Sequence, residues 1–289
     1  MKQIICCLIL IALAASRSTI PELYKKNNGY FTSDYSTTYN NPVVSGEFGV
    51  SSEAGDINND GIPECIIGDA SNDNSKGIAY VIYGKKGTMR QFNYMTDFSS
   101  SDGFIIKGNV AGQKLGFSAS HIGDVNGDGL DDIIIGSPSW TRDSWNTEVG
   151  MAYVLYGRRS SSEWPSVVDV DRLSSSQGFK IYGESSKNRA GFSVSGGVDI
   201  NGDGVSDIII GAIGAGSGGN AYVIYGSRQG LTDMTLPPAS GKGFTVTGTN
   251  REDFGSSVSK IGDFKPFWTE YIGKVVIAKI FLNFFLKSE

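Results

Sequence analysis

Short apolar runs alternate along this chain with polar, glycine-rich stretches, and the pattern repeats. The segments "DINNDGIPECIIG", "DVNGDGLDDIIIG" and "DINGDGVSDIIIG" begin at Asp56, Asp124 and Asp199, and "KIGDF" starts a fourth copy that reaches Asp263. The spacings between these four Asp residues are 68, 75 and 64 residues. A fixed order of motifs at such spacings predicts an array of similar supersecondary units.

Each complete copy contains four short strand candidates bounded by Gly, Asn or Asp. A small-residue segment precedes the acidic loop, and the apolar run follows it. The later strands are "GIAYVIYG", "GMAYVLYG" and "GNAYVIYG", and then "GFIIKG", "GFKIYG" and "GFTVTG". No long apolar period of 3.6 residues is present. Four short strands per repeat indicate an all-β fold made of β-propeller blades of four antiparallel strands, with a solenoid of larger β units as the alternative.

Composition agrees with this interpretation and narrows the chemistry. Gly occurs 39 times among the 289 residues, which suits many tight turns. The formal net charge of −5 disfavours nucleic acid as a partner and favours cations. His121 is the single histidine of the sequence, so a zinc site with several histidines is excluded.

The first residues, "MKQIICCLILIALAASRS", predict a secretory signal peptide over 1–18. A Lys precedes an apolar run that is too short to span a bilayer comfortably, and small residues follow it. Cleavage between Ala14 and Ser18 would leave Cys65 as the single cysteine, so we expect no internal disulfide and a buried thiol. The chain is therefore expected to be secreted or at the cell surface, with no evident membrane anchor.

The acidic loops have the spacing of a cation site. In "DVNGDGLDD", Asp124, Asn126 and Asp128 occupy positions 1, 3 and 5, Gly129 occupies position 6, and Asp132 occupies position 9. Alternate residues of a tight loop can direct oxygens at one centre, and Ca²⁺ takes 6–8 oxygen ligands. A bound cation also cancels the repulsion between the carboxylates. Mg²⁺, which prefers a rigid octahedron with several waters, is the weaker candidate.

These loops are not EF-hands. An EF-hand needs Glu at position 12 and a helix after it, whereas position 12 here is Ile67, Ile135 or Ile210, within a β-branched run. The alternative to a metal site is a solvated turn rich in Asx residues that binds nothing. Three copies at matching offsets favour the metal site.

The segments "LGFSASHIGDVNGDGLDDIIIGSP", "AGFSVSGGVDINGDGVSDIIIGAI" and "FGSSVSKIGDF", with the "AYVIYG" strands, resemble the FG-GAP repeats of the integrin α-subunit β-propeller and of related secreted proteins. The resemblance implies that residues 46–263 form propeller blades, with the acidic loop of each blade holding Ca²⁺. Carried over residue by residue, it implies the following ligands: Asp56, Asn58, Asp60, Glu64 and the carbonyl of Ile62; Asp124, Asn126, Asp128, Asp132 and the carbonyl of Leu130; Asp199, Asn201, Asp203, Asp207 and the carbonyl of Val205.

Parts of the sequence depart from the family pattern. The "FG" pair is Leu-Gly or Ala-Gly in the second and third copies, and Glu64 replaces Asp at position 9 of the first loop. The chain supplies about three and a half blades, fewer than the family's closed ring. We expect either a truncated gene product with missing blades or an open arc that a partner chain closes. Residues 264–289 match no other blade and read as a divergent tail, and residues 19–45 read as an entry strand or flexible lead.

Two function classes follow from these observations. The first is a non-enzymatic, calcium-binding extracellular module for adhesion or recognition of a protein or glycan ligand, as the resemblance implies. The second is the propeller portion of a secreted hydrolase of phospholipase type. The sequence favours the first, because it has no Gly-x-Ser-x-Gly elbow, no Gly-Lys-Ser/Thr phosphate loop and no Ser-His-Asp set with a plausible partner for His121.

Overall fold

The computed structural model describes residues 48–85, 98–145, 147–249 and 253–260. The expected signal peptide, entry segment and tail, and Asp263, lie outside these ranges. The described residues form a β structure with one short helical turn, α1 (Asn72–Ser75), and two 3₁₀ turns (Ser161–Glu163 and Val170–Arg172). The strands are β1 (Phe48–Gly55), β2 (Glu64–Asp69), β3 (Ile78–Ile82), β4 (Gly103–Lys107), β5 (Ser118–Gly123), β6 (Asp132–Ser137), β7 (Met151–Leu155), β8 (Val167–Asp169), β9 (Gly178–Tyr182), β10 (Ala190–Val198), β11 (Asp207–Ala212), β12 (Asn220–Ile224), β13 (Met234–Thr235) and β14 (Gly243–Thr247).

Each predicted repeat forms one antiparallel sheet. Sheet 1 contains β1-β2-β3-β4, sheet 2 contains β5-β6-β7-β9, and sheet 3 contains β10-β11-β12-β14. The register is equivalent in all three, with Cys65 opposite Ile82, Ile133 opposite Leu155 and Ile208 opposite Ile224. The all-β prediction is confirmed, and the sheets are consistent with a fragment of a β-propeller.

The expectation of four strands in every sheet is wrong for the first two. Strand β8 pairs in parallel with β4 of sheet 1, and β13 pairs in parallel with β9 of sheet 2, so both sheets have five strands. Both extra strands come from the connection between the third and fourth strands of the next repeat. Their short segments cover the outer edge of the preceding sheet, which leaves fewer unpaired backbone groups there.

The apolar runs are buried because the sheets pack face to face. Every residue of β3, β6, β7, β11 and β12 is buried, which is why these strands lack the alternation of a half-exposed strand. One core cluster joins sheets 1 and 2, and a second joins sheets 2 and 3. Cys65 is buried in the core of sheet 1, as the sequence predicted.

Glycines allow neighbouring sheets to approach each other closely. Gly136, at the end of the apolar run of sheet 2, lies against Gly191 of sheet 3, and a Cβ added to Gly136 would collide with the Gly191 carbonyl oxygen. The same collision would occur between Gly68 and Gly116, where sheets 1 and 2 meet. The glycines of the repeated motifs are therefore packing residues.

The fourth repeat begins as the third does. The Gly255 carbonyl accepts a hydrogen bond from Ser193 Oγ at 2.7 Å, just as the Gly191 carbonyl accepts one from Ser118 Oγ at 2.8 Å. The face of sheet 3 on that side is less covered, however. Phe244 is only half-buried, whereas the equivalent Phe179 of sheet 2 is 1% exposed. Sheet 3 thus has a partly open apolar face.

Candidate metal centres

Each acidic loop connects the first two strands of its sheet. We call them loop 1 (residues 56–64), loop 2 (residues 124–132) and loop 3 (residues 199–207), and number their positions 1 to 9. Position 9 is the first residue of β2, β6 and β11, respectively. A strand, and not a helix, therefore follows each loop, as the sequence predicted.

Two positions in each loop have left-handed backbone conformations. At position 6, Gly61, Gly129 and Gly204 have φ values of 81°, 87° and 82°. At position 4, loops 2 and 3 also use Gly, whereas loop 1 has Asn59 at φ 59°. Asn is among the few residues with a side chain that tolerate this region, so all three loops follow the same path.

The carboxylate at position 1 organises each loop by accepting backbone hydrogen bonds. In loop 2, Asp124 Oδ1 accepts from the N–H groups of Gly127 at 2.6 Å and Asp128 at 3.1 Å, and Oδ2 accepts from Gly129 at 2.8 Å. Asp199 makes the same three bonds in loop 3. The backbone therefore wraps around the carboxylate at the loop's start, and the other polar side chains converge near it.

Positions 3 and 5 are linked to each other in loops 2 and 3. Asn126 Nδ2 donates to Asp128 Oδ2 at 2.9 Å, and Asn201 Nδ2 donates to Asp203 Oδ2 at the same distance. Loop 1 differs, because Asn58 Nδ2 donates to Glu64 Oε1 at 3.1 Å and Asn58 is only 2% exposed. The Asn Nδ2 group therefore donates to position 9 in loop 1 and to position 5 in loops 2 and 3, whereas the Asn Oδ1 accepts from the position 5 N–H in all three loops.

The acid at position 9 also has a structural function that the sequence did not reveal. Asp132 is fully buried, and its two oxygens accept hydrogen bonds from the N–H groups of Val125 and Gly157, both at 2.9 Å. Asp207 accepts equivalent bonds from Ile200 at 2.7 Å and Gly226 at 2.9 Å. Each of these carboxylates thus ties its loop to the end of the third strand, where Gly157 and Gly226 lie.

Burial makes the position 9 carboxylates reluctant to ionise. It raises the pKa of Glu64 to about 8. The nearby Asp60 and Asp56 carboxylates add to this rise, and the backbone hydrogen bond from Ile57 opposes it. Burial likewise raises the pKa of Asp132 to about 8 and shifts the pKa of Asp207 upward. An added cation would favour the charged forms of all three.

Loop 1 has the geometry of a small cation site. Carboxylate oxygens of Asp56, Asp60 and Glu64 lie within 4.8 Å of one another. Within the described ranges, no other group of three Asp, Glu, His or Cys side chains converges this closely. The donors are oxygens alone, the ligand type that Ca²⁺ prefers, so the residues of loop 1 fit the cation that the sequence predicts.

His121 has a carboxylate partner that the sequence did not reveal. Its Nε2 lies 3.2 Å from Asp131 Oδ1, and its Nδ1 lies 3.2 Å from Lys260 Nζ. No sequence motif links these residues, because 139 positions separate His121 from Lys260. The second ring nitrogen faces an ammonium and not a serine hydroxyl, so the arrangement is not a nucleophilic triad.

Comparison with known proteins identifies the repeat. The model of the FG-GAP repeat matches residues 116–155, which contain loop 2 and the strands around it. The integrin alpha pat-2 protein of Caenorhabditis elegans is 28% identical over 218 residues, or 73% of this chain and 16% of that protein. Integrin alpha-PS2 of Drosophila melanogaster is 30% identical over 189 residues, or 62% of this chain and 12% of that protein.

A different kind of protein also shows similarity. Phosphatidylinositol-glycan-specific phospholipase D of Mus musculus is 33% identical over 112 residues, which are 37% of this chain and 12% of that enzyme. The chain thus spans no more than 16% of the length of these three relatives.

Within the described ranges, no helix has both the length and the apolar composition that a bilayer span requires.

The repeated loops, the equivalent sheets and the matching family model agree with one another. The chain therefore carries an FG-GAP repeat and resembles integrin α subunits over much of its length.

Proposed function

We propose that this chain is a calcium-binding propeller module of integrin α type that acts outside the cell in adhesion or ligand recognition. The observation that carries the proposal is the shared architecture of the three loops. All three fold around the carboxylate at position 1, and loop 1 brings three carboxylates within 4.8 Å of one another.

The proposed ligands are the residues that the family resemblance implies. In each loop they are the side chains at positions 1, 3, 5 and 9 and the carbonyl at position 7. When bound, Ca²⁺ supplies positive charge that compensates the clustered carboxylates. Loops 2 and 3 would need only a shift of side chains, because the backbone path is already that of loop 1.

A metal that binds only the folded loops contributes to stability. Such a ligand stabilises a protein by about 2.7 kcal/mol when its concentration is 100 times its dissociation constant. The contribution would extend to sheets 2 and 3, because Asp132 and Asp207 each join a loop to the end of a third strand. We therefore assign the ions a structural function, without a catalytic step.

The partly open face of sheet 3 supports a larger assembly. Phe244 is half-buried, as are the neighbouring Val246 and Tyr225, although equivalent residues between the sheets are buried. Further blades or a partner chain would cover this face and close the propeller. Secretion rests on the predicted signal peptide, and an extracellular protein or glycan ligand rests on the likeness to integrin α subunits.

The first test of this proposal is thermal unfolding of the full chain with Ca²⁺ and with a chelator. We expect a higher midpoint with Ca²⁺ and a smaller effect of Mg²⁺ at the same concentration. A variant that lacks the three position 5 carboxylates, Asp60→Ala with Asp128→Ala and Asp203→Ala, should lose the response to Ca²⁺. Equal midpoints with Ca²⁺ and chelator for the parent chain would contradict the proposal.

The second candidate function is that of a hydrolase portion, which the likeness to phosphatidylinositol-glycan-specific phospholipase D favours. The two functions differ in a direct assay. We expect the full chain, loaded with Ca²⁺, to release no product from a phosphatidylinositol-glycan substrate. Release that depends on the acidic loops would instead support the hydrolase.

A further inference from the structure

Loop 1 is in direct contact with a side chain of the next repeat. The backbone N–H of Asp56, at position 1 of loop 1, donates a hydrogen bond to Asp131 Oδ2 at 2.9 Å. Asp131 occupies position 8 of loop 2 and is not among the proposed metal ligands. We propose that Asp131 is a positioning residue for the metal site of loop 1, an inference that rests on the proposed function.

The contact is tightly packed on both sides. Gly55 precedes Asp56 and has φ 68°, and a Cβ added to Gly55 would collide with the ring of His121 and with Asp131 Oδ2. The backbone that delivers Asp56 to its loop thus lies directly on the His121–Asp131 pair. A shift of Asp131 would therefore move Asp56, the first proposed ligand of loop 1.

Asp131 contacts His121 of sheet 2, and His121 is in turn contacted by a residue that is bonded to sheet 3. His121 Nε2 lies 3.2 Å from Asp131 Oδ1, and Lys260 Nζ lies 3.2 Å from His121 Nδ1. The backbone N–H of Lys260 donates to Ser195 Oγ of β10 at 3.0 Å. A line of polar contacts therefore connects the start of the fourth repeat to loop 1.

The repeat pattern explains how this line crosses a whole sheet. His121 and Lys260 stand at the same place in their repeats, three residues before the first Asp of a loop. The equivalent residue of sheet 3 is Gly196, which has no side chain. A Cβ added to the next residue, Gly197, would lie 3.5 Å from Lys260 Nζ, so the Lys260 side chain passes beside these glycines of β10 to reach His121.

Loops 1 and 2 meet at one junction, through the Asp131 side chain, and loops 2 and 3 meet at a second junction that does not depend on a side chain. Ser206, at position 8 of loop 3, uses its backbone N–H to donate to the Asp124 carbonyl oxygen at 3.0 Å. Removing the Ser206 hydroxyl would leave that bond in place, whereas truncating Asp131 would leave the Asp56 N–H without its acceptor. The two junctions therefore provide a matched pair for a test.

The test measures Ca²⁺ binding at one loop at a time, by calorimetry on the full chain. In an Asp128→Ala/Asp203→Ala background, loop 1 alone retains its complete set of ligands. We expect Asp131→Ala to weaken Ca²⁺ binding by about 10-fold in this background, since hydrogen bonds to charged groups are among the stronger ones. Asp131→Asn keeps an oxygen acceptor for the Asp56 N–H and should restore binding to within about 3-fold of the background.

The control uses the second junction. In an Asp60→Ala/Asp203→Ala background, loop 2 alone is complete, and Ser206→Ala should change its Ca²⁺ affinity by less than about 2-fold. A readout without metal accompanies both experiments. In chelator, amide hydrogen exchange at Asp56 should be about 10-fold faster in Asp131→Ala than in Asp131→Asn.

The outcomes separate this inference from the proposed function. If the loop 1 background binds no Ca²⁺, the proposed function fails for that loop, while faster exchange at Asp56 in Asp131→Ala would still support the positioning contact. If that background binds Ca²⁺ and Asp131→Ala leaves both its affinity and the exchange at Asp56 unchanged, Asp131 is not a positioning residue. If Asp131→Ala and Asp131→Asn weaken Ca²⁺ binding equally, the charge of Asp131 and not its hydrogen bond affects the affinity, and the inference is overturned.

Discussion

Loop 1 and loop 2 follow the same backbone path but use the acid at position 9 differently. Asp132 of loop 2 accepts backbone hydrogen bonds from Val125 and Gly157 on its two oxygens. Glu64 of loop 1 accepts from the Ile57 N–H at 2.8 Å and from the Asn58 side chain at 3.1 Å. The longer arm of Glu64 places its carboxylate near those of Asp56 and Asp60.

The comparison separates two functions of one position. In loop 2 the acid anchors the backbone, and its contribution to stability does not require a metal. In both loops burial raises the pKa of the acid to about 8, and the two other carboxylates of the loop add to the rise. In loop 1 the three carboxylates also lie within 4.8 Å of one another, so the contribution of Glu64 depends more on a cation. Two copies of one repeat motif thus differ: loop 2 is mainly stabilised by hydrogen bonds, and loop 1 depends more on charge compensation.

The largest effect should come from removing the anchor of loop 2. In chelator, Asp132→Ala should lower the free energy of unfolding by about 3 kcal/mol, because two buried N–H groups lose their acceptor. Glu64→Ala should cost less, since it also removes one of the three carboxylates that lie within 4.8 Å of one another in loop 1. Urea unfolding in chelator measures both, and equal losses would remove the distinction between the loops.

A smaller effect should follow from shortening the arm of loop 1. Glu64→Asp gives loop 1 the acid of loop 2 and draws the carboxylate away from Asp56 and Asp60. In the Asp128→Ala/Asp203→Ala background, we expect about 10-fold weaker Ca²⁺ binding, which corresponds to about 1.4 kcal/mol. Calorimetry of the variant beside its background measures the change. Unchanged affinity would mean that arm length does not distinguish the loops.

The smallest effect concerns position 4, where loop 1 has Asn59 and the other loops have Gly. Asn59→Ala should lower the free energy of unfolding by about 0.5–1 kcal/mol, because Ala tolerates the left-handed region less well than Asn. Asn59→Gly, which copies loops 2 and 3, should be neutral or slightly stabilising in this conformation. Thermal unfolding in chelator would reveal both, and identical midpoints for the two variants would contradict the conformational explanation.

The sequence predicted the features that repeat and missed those that depend on two repeats. The strands that follow the loops and the left-handed glycines recur at one offset in every copy, so the pattern was sufficient to predict them. The parallel strands β8 and β13 were missed because a strand's partner in a neighbouring repeat leaves no periodic signal. The contact between Asp131 and the Asp56 N–H was missed for the same reason, since position 8 holds a different residue in each loop.

The sequence predicts the proposed ligands of each loop, but it does not predict the contacts between them. The spacing of Asp and Asn predicts which oxygens can converge, but it does not indicate that Asn58 is buried and contacts Glu64 while Asn126 contacts Asp128. That choice depends on the length of the acid at position 9, which the sequence shows, and on burial of the loop, which arises only when the sheets pack.

The most direct test of the central claim, that the acidic loops are calcium sites, is the calorimetric stoichiometry of Ca²⁺ on the full chain and on three single variants. We predict three Ca²⁺ ions per chain, and two for each of Asp60→Ala, Asp128→Ala and Asp203→Ala, because each variant removes one position 5 carboxylate from a different loop. The parent chain should also unfold at a lower temperature in chelator. Absence of Ca²⁺ binding, or the same stoichiometry in the parent and all three variants, would show that the loops are polar turns and would contradict the account.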